Sequence, residues 1–513
     1  MRSAVAGDKI AFGLQWACLA LAFYFIASFI FVAVSSMHYP FHLEWMEGQN
    51  IDVVQRVASG LPVYTEPTLD YVPFIYTPYY YYVVAFVSLL TGVDFFSGRL
   101  VSTLATLGSG ALIYGWIRKD GGHWKAALIG AGLFFATYKL SGRWFDVARI
   151  DSLFLFLTLA GLFVFYYYRG WSNALCAAAL LTAAFFTKQS ALLMALPMLV
   201  TGIWLDRRHA LITSGLFAIM LIAGIAAYNA VSDGWFSFYV FRVPAGHVID
   251  RNLILGFWTN DMFRHFGFIF VLLGLAFVRW ISQDPNKVGW YGALALGGIG
   301  AAYASRLHMY GWVNVLMPAH AVLALFAGLS FTAFERRGYQ ALLVANLLVI
   351  IQIVSLLYNP IPLFPTQKYV EKGNRFLERI AAIKGDIFMP DLQFVQTRVG
   401  KKSYALGMAA YDIFRSDLKE ENYVKNRLER QLQEAIRNRQ FAAVMPGRIF
   451  PLPGMGKYYK FSEQLEYPRE FVTGAINFLR TDLFLPTDNT MNPFDKPPFA
   501  TDDSARHPME KQQ

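Results

Sequence analysis

The 513-residue chain holds only two cysteines, Cys18 and Cys176. Both fall inside apolar runs, so the sequence offers neither a disulfide framework nor a cysteine-ligated zinc site. Charge is also scarce. Asp, Glu, Lys and Arg make up 16% of the residues, where a soluble globular chain carries about 25%. No basic stripe lies on a soluble segment, which leaves a nucleic-acid partner without support. No internal repeat occurs at a fixed period, and the paired halves common in transporters are missing with it.

Apolar sequence is abundant instead. Hydrophobic residues make up 56% of the chain, and the mean hydropathy is +0.37. They come in blocks of about 15 to 25 residues between short charged clusters, the pattern of a multi-span membrane protein. The net charge of +10 then reflects Lys and Arg at helix ends and against anionic headgroups, so membrane lipids are expected partners. The first run, Ile10 to Met37, carries no charge. Arg2 and Lys9 precede it as in a signal sequence, but the run is too long for a signal core and shows no small-residue cleavage site. It reads as a retained first helix.

Charge placement orders the rest. With the N-terminus cytoplasmic, the positive-inside rule puts Arg118-Lys119, Lys125, Arg169, Arg207-Arg208, Arg279, Lys287 and Arg336-Arg337 on the cytosolic side. Spans follow near 99–117, 125–139, 151–168, 174–187, 190–205, 210–230, 266–281, 289–304, 314–333 and 340–358. With the first helix that is about 11 spans, and the C-terminus lies outside. The expected protein is an α-helical polytopic protein of the plasma (inner) membrane, with interfacial helices and an extracytoplasmic C-terminal α/β domain. Residues 76–92 are apolar enough to span, but a span there would turn every later arginine pair outward. They read as an interfacial or re-entrant helix whose four consecutive tyrosines suit the headgroup belt.

Three outward segments carry mixed charge among aromatics: 36–98, 141–151 and 231–265. Polar groups gathered on one face are what a site at a membrane surface requires. Beyond Tyr358, Asn359-Pro360-Ile361-Pro362 and Pro365 read as a linker. An amphipathic helix (367–384), a strand (386–390), a charged helix (417–439) and a second strand (441–446) follow, a small α/β module. The expected divisions are a membrane domain 1–358 containing the first outer loop 36–98, a C-terminal module 359–485, and a poorly ordered tail 486–513.

Glu44-Trp45-Met46-Glu47-Gly48 stands out. Two acids at the outer end of a first membrane helix are costly unless they have work to do. Either could be a general base; equally, both could be solvated, or one could cap the helix that begins near Asn50. His38 and His42 lie beside them, but Pro40 spoils the helical geometry that would present both to one ion. A divalent metal is therefore not favoured, and no cofactor is expected. Arg149 could hold a phosphate and Asp151 orient a sugar hydroxyl, or Asp146, Arg149 and Asp151 could form a mutual salt bridge with Asp151 at a helix N-terminus. Lys188 could meet a lipid phosphate or snorkel to the headgroups. Arg306, His308 and Tyr310 suit a leaving phosphate or ordinary interface anchoring. Gly400-Lys-Lys-Ser403 lacks the upstream glycine of a phosphate loop and is set aside.

Taken in order, these residues resemble the GT-C membrane glycosyltransferases, in the family 39-like and lipid A aminoarabinose transferase-like branch, over roughly 1–358. The acidic motif falls at Met46-Glu47-Gly48, and the helix after it ends between Arg56 and Gly60. A proline-aromatic segment follows at Tyr76-Thr-Pro78. Arg99 opens one span and Asp151 another. A Thr-Lys pair stands at Thr187-Lys188, and His308-Met-Tyr310 leads to Pro318. The resemblance departs in one place: the family's first acid aligns with Met46, leaving Glu47, or Glu44 one turn earlier, as base. It implies a polyprenyl-phosphate sugar donor, a hydroxyl acceptor on a glycan, lipid or protein, and inverting transfer on the extracytoplasmic face. Arg56, Tyr76, Asp146, Arg149, Asp151, Lys188, Arg306, His308 and Tyr310 would bind substrate, and the C-terminal module would help hold the acceptor. Two competing readings are a lipid or glycan transporter or flippase, and a non-catalytic partner in cell-envelope polymer assembly.

Overall fold

The computed structural model describes residues 2–487 except Arg336, 448–449, Pro451, 469–470 and 472–478. The expected tail from 486 lies outside the described residues beyond Thr487.

Helices dominate. In chain order the longer ones are α1 (Arg2–Met37), α2 (Glu47–Ala58), α3 (Tyr79–Thr91), α4 (Phe95–Lys119), α5 (Trp124–Ala136), α6 (Ile150–Tyr167), α7 (Trp171–Thr187), α8 (Ala191–Leu205) and α9 (Arg207–Val231). After two short π-helical segments, Phe238–Arg242 and Phe257–Phe263, come α10 (Arg264–Gln283), α11 (Pro285–Leu307), α12 (Met317–Glu335) and α13 (Tyr339–Ser355). The C-terminal part adds α14 (Gln367–Ala382), α15 (Gln393–Arg398), α16 (Gly407–Phe414) and α17 (Asn422–Arg437).

A helix therefore stands at every expected span. Among the described residues six segments are long and apolar enough to cross a membrane: Lys9–Met37, Phe95–Lys119, Ile150–Tyr167, Arg207–Val231, Leu253–Val278 and Val313–Glu335. The other apolar helices are shorter, and α3 shows what that means. Its 13 residues rise about 20 Å, against a hydrocarbon core of about 30 Å.

The chain divides into two compact units. One contains Met1–Ser36, Leu100–Gly224 and Val248–Phe364; the other contains Met37–Arg99, Ile225–His247 and the chain from Pro365 onward. The divisions fall inside α1, α4 and α9 and in the connections at 247/248 and 364/365, so neither unit is continuous in sequence.

The first unit is a helical core. On α1, Cys18, Ala22, Phe25, Phe29 and Val32 are buried along one stripe, whereas Phe23, Ile30, Phe31 and Val34 are exposed. A one-sided apolar stripe would normally leave a polar opposite face. Here the opposite face is apolar too, as lipid contact demands. α12 is buried on every face, from Met317 through Thr332. Glycines let these helices approach closely: a Cβ on Gly297 would collide with the Met194 backbone, and one on Gly132 with Ala22. Small residues take this role where helices pack in lipid.

The second unit joins the segment Met37–Arg99 to the C-terminal module. The sheet has the order β1-β2-β4-β3, with β1 (Ile387–Phe388), β2 (Ala443–Val444), β3 (Tyr459–Gln464) and β4 (Asp482–Pro486). β1 and β2 are parallel, and β4 runs antiparallel to both β2 and β3. The two expected strands and both expected helices are present; the β3–β4 pair has no counterpart in the sequence reading. α14 buries Gly373, Phe376 and Ile380, and α17 buries Val424, Leu428 and Leu432, so each presents an apolar stripe at helical spacing. The Leu69 carbonyl accepts from Ala405 N at 2.8 Å, and Lys402 pairs with Asp70 at 2.8 Å.

Candidate active site

The acidic loop is folded tightly ahead of α2. Neither glutamate is solvated: Glu44 and Glu47 are both wholly buried. Glu47 reaches back and accepts Leu43 N–H at 2.7 Å and Glu44 N–H at 3.4 Å. Arg99 closes on the same carboxylate with both edges of its fork, Nε to Oε1 at 3.0 Å and Nη2 to Oε2 at 2.7 Å. The guanidinium also donates to the carbonyls of Tyr39 and Phe41 at 2.5 and 2.6 Å. A bidentate arginine pair inside a dry interior fixes geometry strongly, and breaking it strands a buried charge. Glu44 Oε2 accepts the N–H of Met46 at 3.1 Å. The side chain at the helix cap itself, Met46, forms no cap bond.

His42 is buried with Nδ1 2.7 Å from the Tyr467 hydroxyl. Burial holds its imidazole down at about 3, against the pull of Glu47 and with a push from Arg99 and Arg398, so the ring is neutral. His38 stacks on Phe96 with centroids 4.5 Å apart. The two histidines thus engage different partners. Among the described residues no three His, Cys, Asp or Glu side chains gather as a metal site.

Arg56 and Tyr76 serve the loop that follows. Arg56 Nε donates to the Pro62 carbonyl at 2.6 Å, and its guanidinium lies 3.9 Å over the Tyr71 ring. The Tyr76 carbonyl accepts from the Tyr64 hydroxyl at 2.6 Å. Asp52, one turn into α2, has Oδ2 buried without a hydrogen-bond partner, and burial raises its carboxyl well above the usual range.

In the helical unit the structure brings Asp151, Lys188 and Asn314 together. Asp151 Oδ1 accepts from Lys188 Nζ at 2.7 Å and from Asn314 Nδ2 at 2.9 Å. Arg149, packed 4.5 Å over the Trp144 ring, adds its field at the same carboxylate. Lys188 therefore turns inward to an acid rather than snorkelling: its side chain is 12% exposed. It can do so because α7 ends at Thr187 and Lys188 takes extended backbone angles.

Asp146 belongs to a different cluster. It accepts from the Tyr138 hydroxyl at 2.8 Å and lies 3.6 Å from Arg143. Arg143 in turn donates to Ser36 Oγ at 2.6 Å and to the Leu363 carbonyl. Gly142 and Arg143 both adopt positive φ, 68° and 66°, which the glycine takes freely and the arginine at a steric cost.

Arg306 pairs with Asp261 at 2.9 Å and donates to the Gly311 carbonyl. Asp261 is presented by the π-helical segment Phe257–Phe263, an irregularity that often marks function. Between Arg306 and Gly311 the chain turns sharply, with Tyr310 at φ 69° and His308 in a β-bridge to Ile249. The sequence reading treats Arg99 only as an arginine opening a span and Asp261 only as one of several loop charges. Neither carries a local signal of its partner, which is 52 residues away for Arg99 and 45 for Arg306.

Comparison with known proteins fits this architecture. Residues 75–231 match the family model described as dolichyl-phosphate-mannose-protein mannosyltransferase. ArnT from Cupriavidus metallidurans, in a crystal structure bound to undecaprenyl phosphate, superposes with a TM-score of 0.55 at 13% identity, covering 90% of this chain and 97% of that one. The apo ArnT structure gives 0.53 at 14%, over 84% and 93%. The chain has the GT-C fold. A third GT-C structure is the archaeal oligosaccharyltransferase AglB of Archaeoglobus fulgidus, in complex with an inhibitory peptide and a dolichol-phosphate. It gives 0.50 at 11%, over 85% of this chain and 72% of that one. No curated protein matches this GT-C chain significantly in sequence.

Proposed function

We propose that this GT-C protein transfers a sugar from a polyprenyl-phosphate donor to a hydroxyl acceptor, at the extracytoplasmic face of the plasma (inner) membrane. The observation that carries the reading is the family match over 75–231, on a fold that ArnT and AglB share in structures containing polyprenyl phosphates.

Of the two acids, Glu44 is assigned as the general base. Four N–H groups already occupy the Glu47 carboxylate. Taking a proton there would mean surrendering the Arg99 pair, so Glu47 serves as the loop's anchor. Glu44 deprotonates the acceptor hydroxyl. The resulting oxygen attacks the anomeric carbon with inversion, and the bond to the phosphate oxygen breaks. Arg149, Lys188, Arg306 and His308 are assigned to the departing lipid phosphate, and Asp151 holds Lys188 in place. Arg56, Tyr76, Tyr310 and Asp146 make the structural contacts described above and receive no chemical step. The acceptor hydroxyl belongs to a glycan, lipid or protein, and no metal or other cofactor is assigned a step.

The test is transfer by the purified full chain from a small panel of polyprenyl-phosphate sugars, with and without chelator. Sugar transfer that survives chelation is expected with at least one donor. Donor binding without transfer to any hydroxyl acceptor would favour a transporter or an assembly partner instead.

A further inference from the structure

The C-terminal module contacts the acidic loop on several sides. Tyr467 meets His42, and Phe471 N donates to the Leu43 carbonyl at 2.9 Å. Arg398 donates to the Pro40 carbonyl and lies 5.4 Å over the Phe41 ring. Met408 N donates to Gln49 Oε1 at 3.2 Å. Gly48 leaves no room for a side chain: a Cβ there would run into His42 Nε2 and lie 3.2 Å from Phe394 Cβ. These contacts bracket Glu44 and Glu47 on both sides in sequence, from Pro40 to Gln49.

The pattern is unusual for a module whose task is to hold an acceptor. An acceptor-binding surface would leave its polar groups for the ligand, whereas these are consumed by the loop's own backbone. His42 Nε2 is left buried without a partner, a cost of about 1–3 kcal/mol. The fold bears this cost to keep the ring wedged between Tyr467 and Gly48.

We propose that the C-terminal module is a positioning clamp for the acidic loop, with Tyr467 acting through His42 to hold Glu44 in its working geometry. The proposal rests on the assignment of Glu44 as base. Tyr467 and Arg398 are positioning residues that need touch no substrate. Loss of either lets the 40–49 loop relax, and displacement of a reacting group by about 1 Å is enough to cost up to about 100-fold in rate.

The experiment uses the full-length protein with Tyr467→Phe and, separately, Arg398→Ala. Arg398 is exposed, so its truncation leaves the fold intact even if the tyrosine variant does not survive purification. Two readouts are taken. The first is hydrogen exchange across 38–50, compared with 143–153. The second is sugar transfer, resolved into kcat and the KM of donor and acceptor. The clamp predicts lost protection in 38–50 alone, and kcat lowered roughly 10-fold with both KM values unchanged. Unchanged protection in 38–50, or a rise confined to acceptor KM, overturns it. If the wild-type chain transfers no sugar, the functional reading fails while the exchange comparison still decides whether the clamp exists.

Discussion

Two buried acids, Glu47 and Asp151, meet opposite fates. Glu47 has both carboxylate oxygens engaged by Arg99 and two more N–H donors from its own loop. Asp151 has only Oδ1 engaged, by Lys188 and Asn314, while Oδ2 is buried with no hydrogen-bond partner. Each carboxylate faces an arginine or lysine, so charge alone does not separate them. Saturation does. A carboxylate gripped through both oxygens by one guanidinium is an anchor, whereas one holding a cation through a single oxygen can yield that cation to a phosphate.

The sharpest way to break this contrast is at Arg99. Arg99→Ala leaves Glu47 charged in a buried site without the guanidinium that holds it, which costs about 3–5 kcal/mol. Thermal unfolding in detergent should show a large loss, and adding Glu47→Gln should recover part of it. A small loss from Arg99→Ala alone would mean that Glu47 is not an anchor.

Lys188→Ala should behave the other way. Asp151 keeps Asn314 and the field of Arg149, so stability should fall by less than it does for Arg99→Ala. Sugar transfer should fall about 100-fold through loss of a cation at the leaving phosphate. Equal losses of stability and rate at both positions would erase the distinction.

A pH titration sharpens the loop side. His42 titrates at about 3 in the folded chain and near 6.5 when unfolded. Below pH 6.5 the unfolded state therefore binds the extra proton and the folded state does not. Stability should be lost as pH falls from about 6.5 toward 3, at up to about 1.4 kcal/mol per unit. His42→Gln should flatten that part of the stability curve. The smallest effect is expected at Arg56, whose exposed contacts with Pro62 and Tyr71 are worth about 0.5–1 kcal/mol. Arg56→Ala should leave transfer near wild type.

The comparison also shows what the sequence could carry. Helix positions were legible because apolar runs and arginine clusters are local signals, and each expected span from 99–117 to 340–358 coincides with a helix. The segment 76–92, expected as a helix outside the count of spans, contains the 13-residue α3. The acids were legible as an expense at Glu44 and Glu47, but their different contacts were not. Those depend on Arg99, which reaches Glu47 only once α4 packs beside the loop. Lys188 read equally as a snorkelling lysine, because its pairing with Asp151 joins the ends of two helices, a relation no spacing encodes. The strands Tyr459–Gln464 and Asp482–Pro486 escaped notice because each is too short to carry more than a few repeats of an apolar–polar pattern. Their stability comes from pairing with each other and with β2, a tertiary effect.

The central claim is that the loop divides its labour, Glu44 as base and Glu47 as anchor. The most direct measurement is sugar transfer, donor binding and melting temperature for Glu44→Gln beside Glu47→Gln. Glu44→Gln should abolish transfer while binding polyprenyl phosphate and melting near wild type, and Glu47→Gln should melt markedly lower. Full transfer by Glu44→Gln would contradict the account.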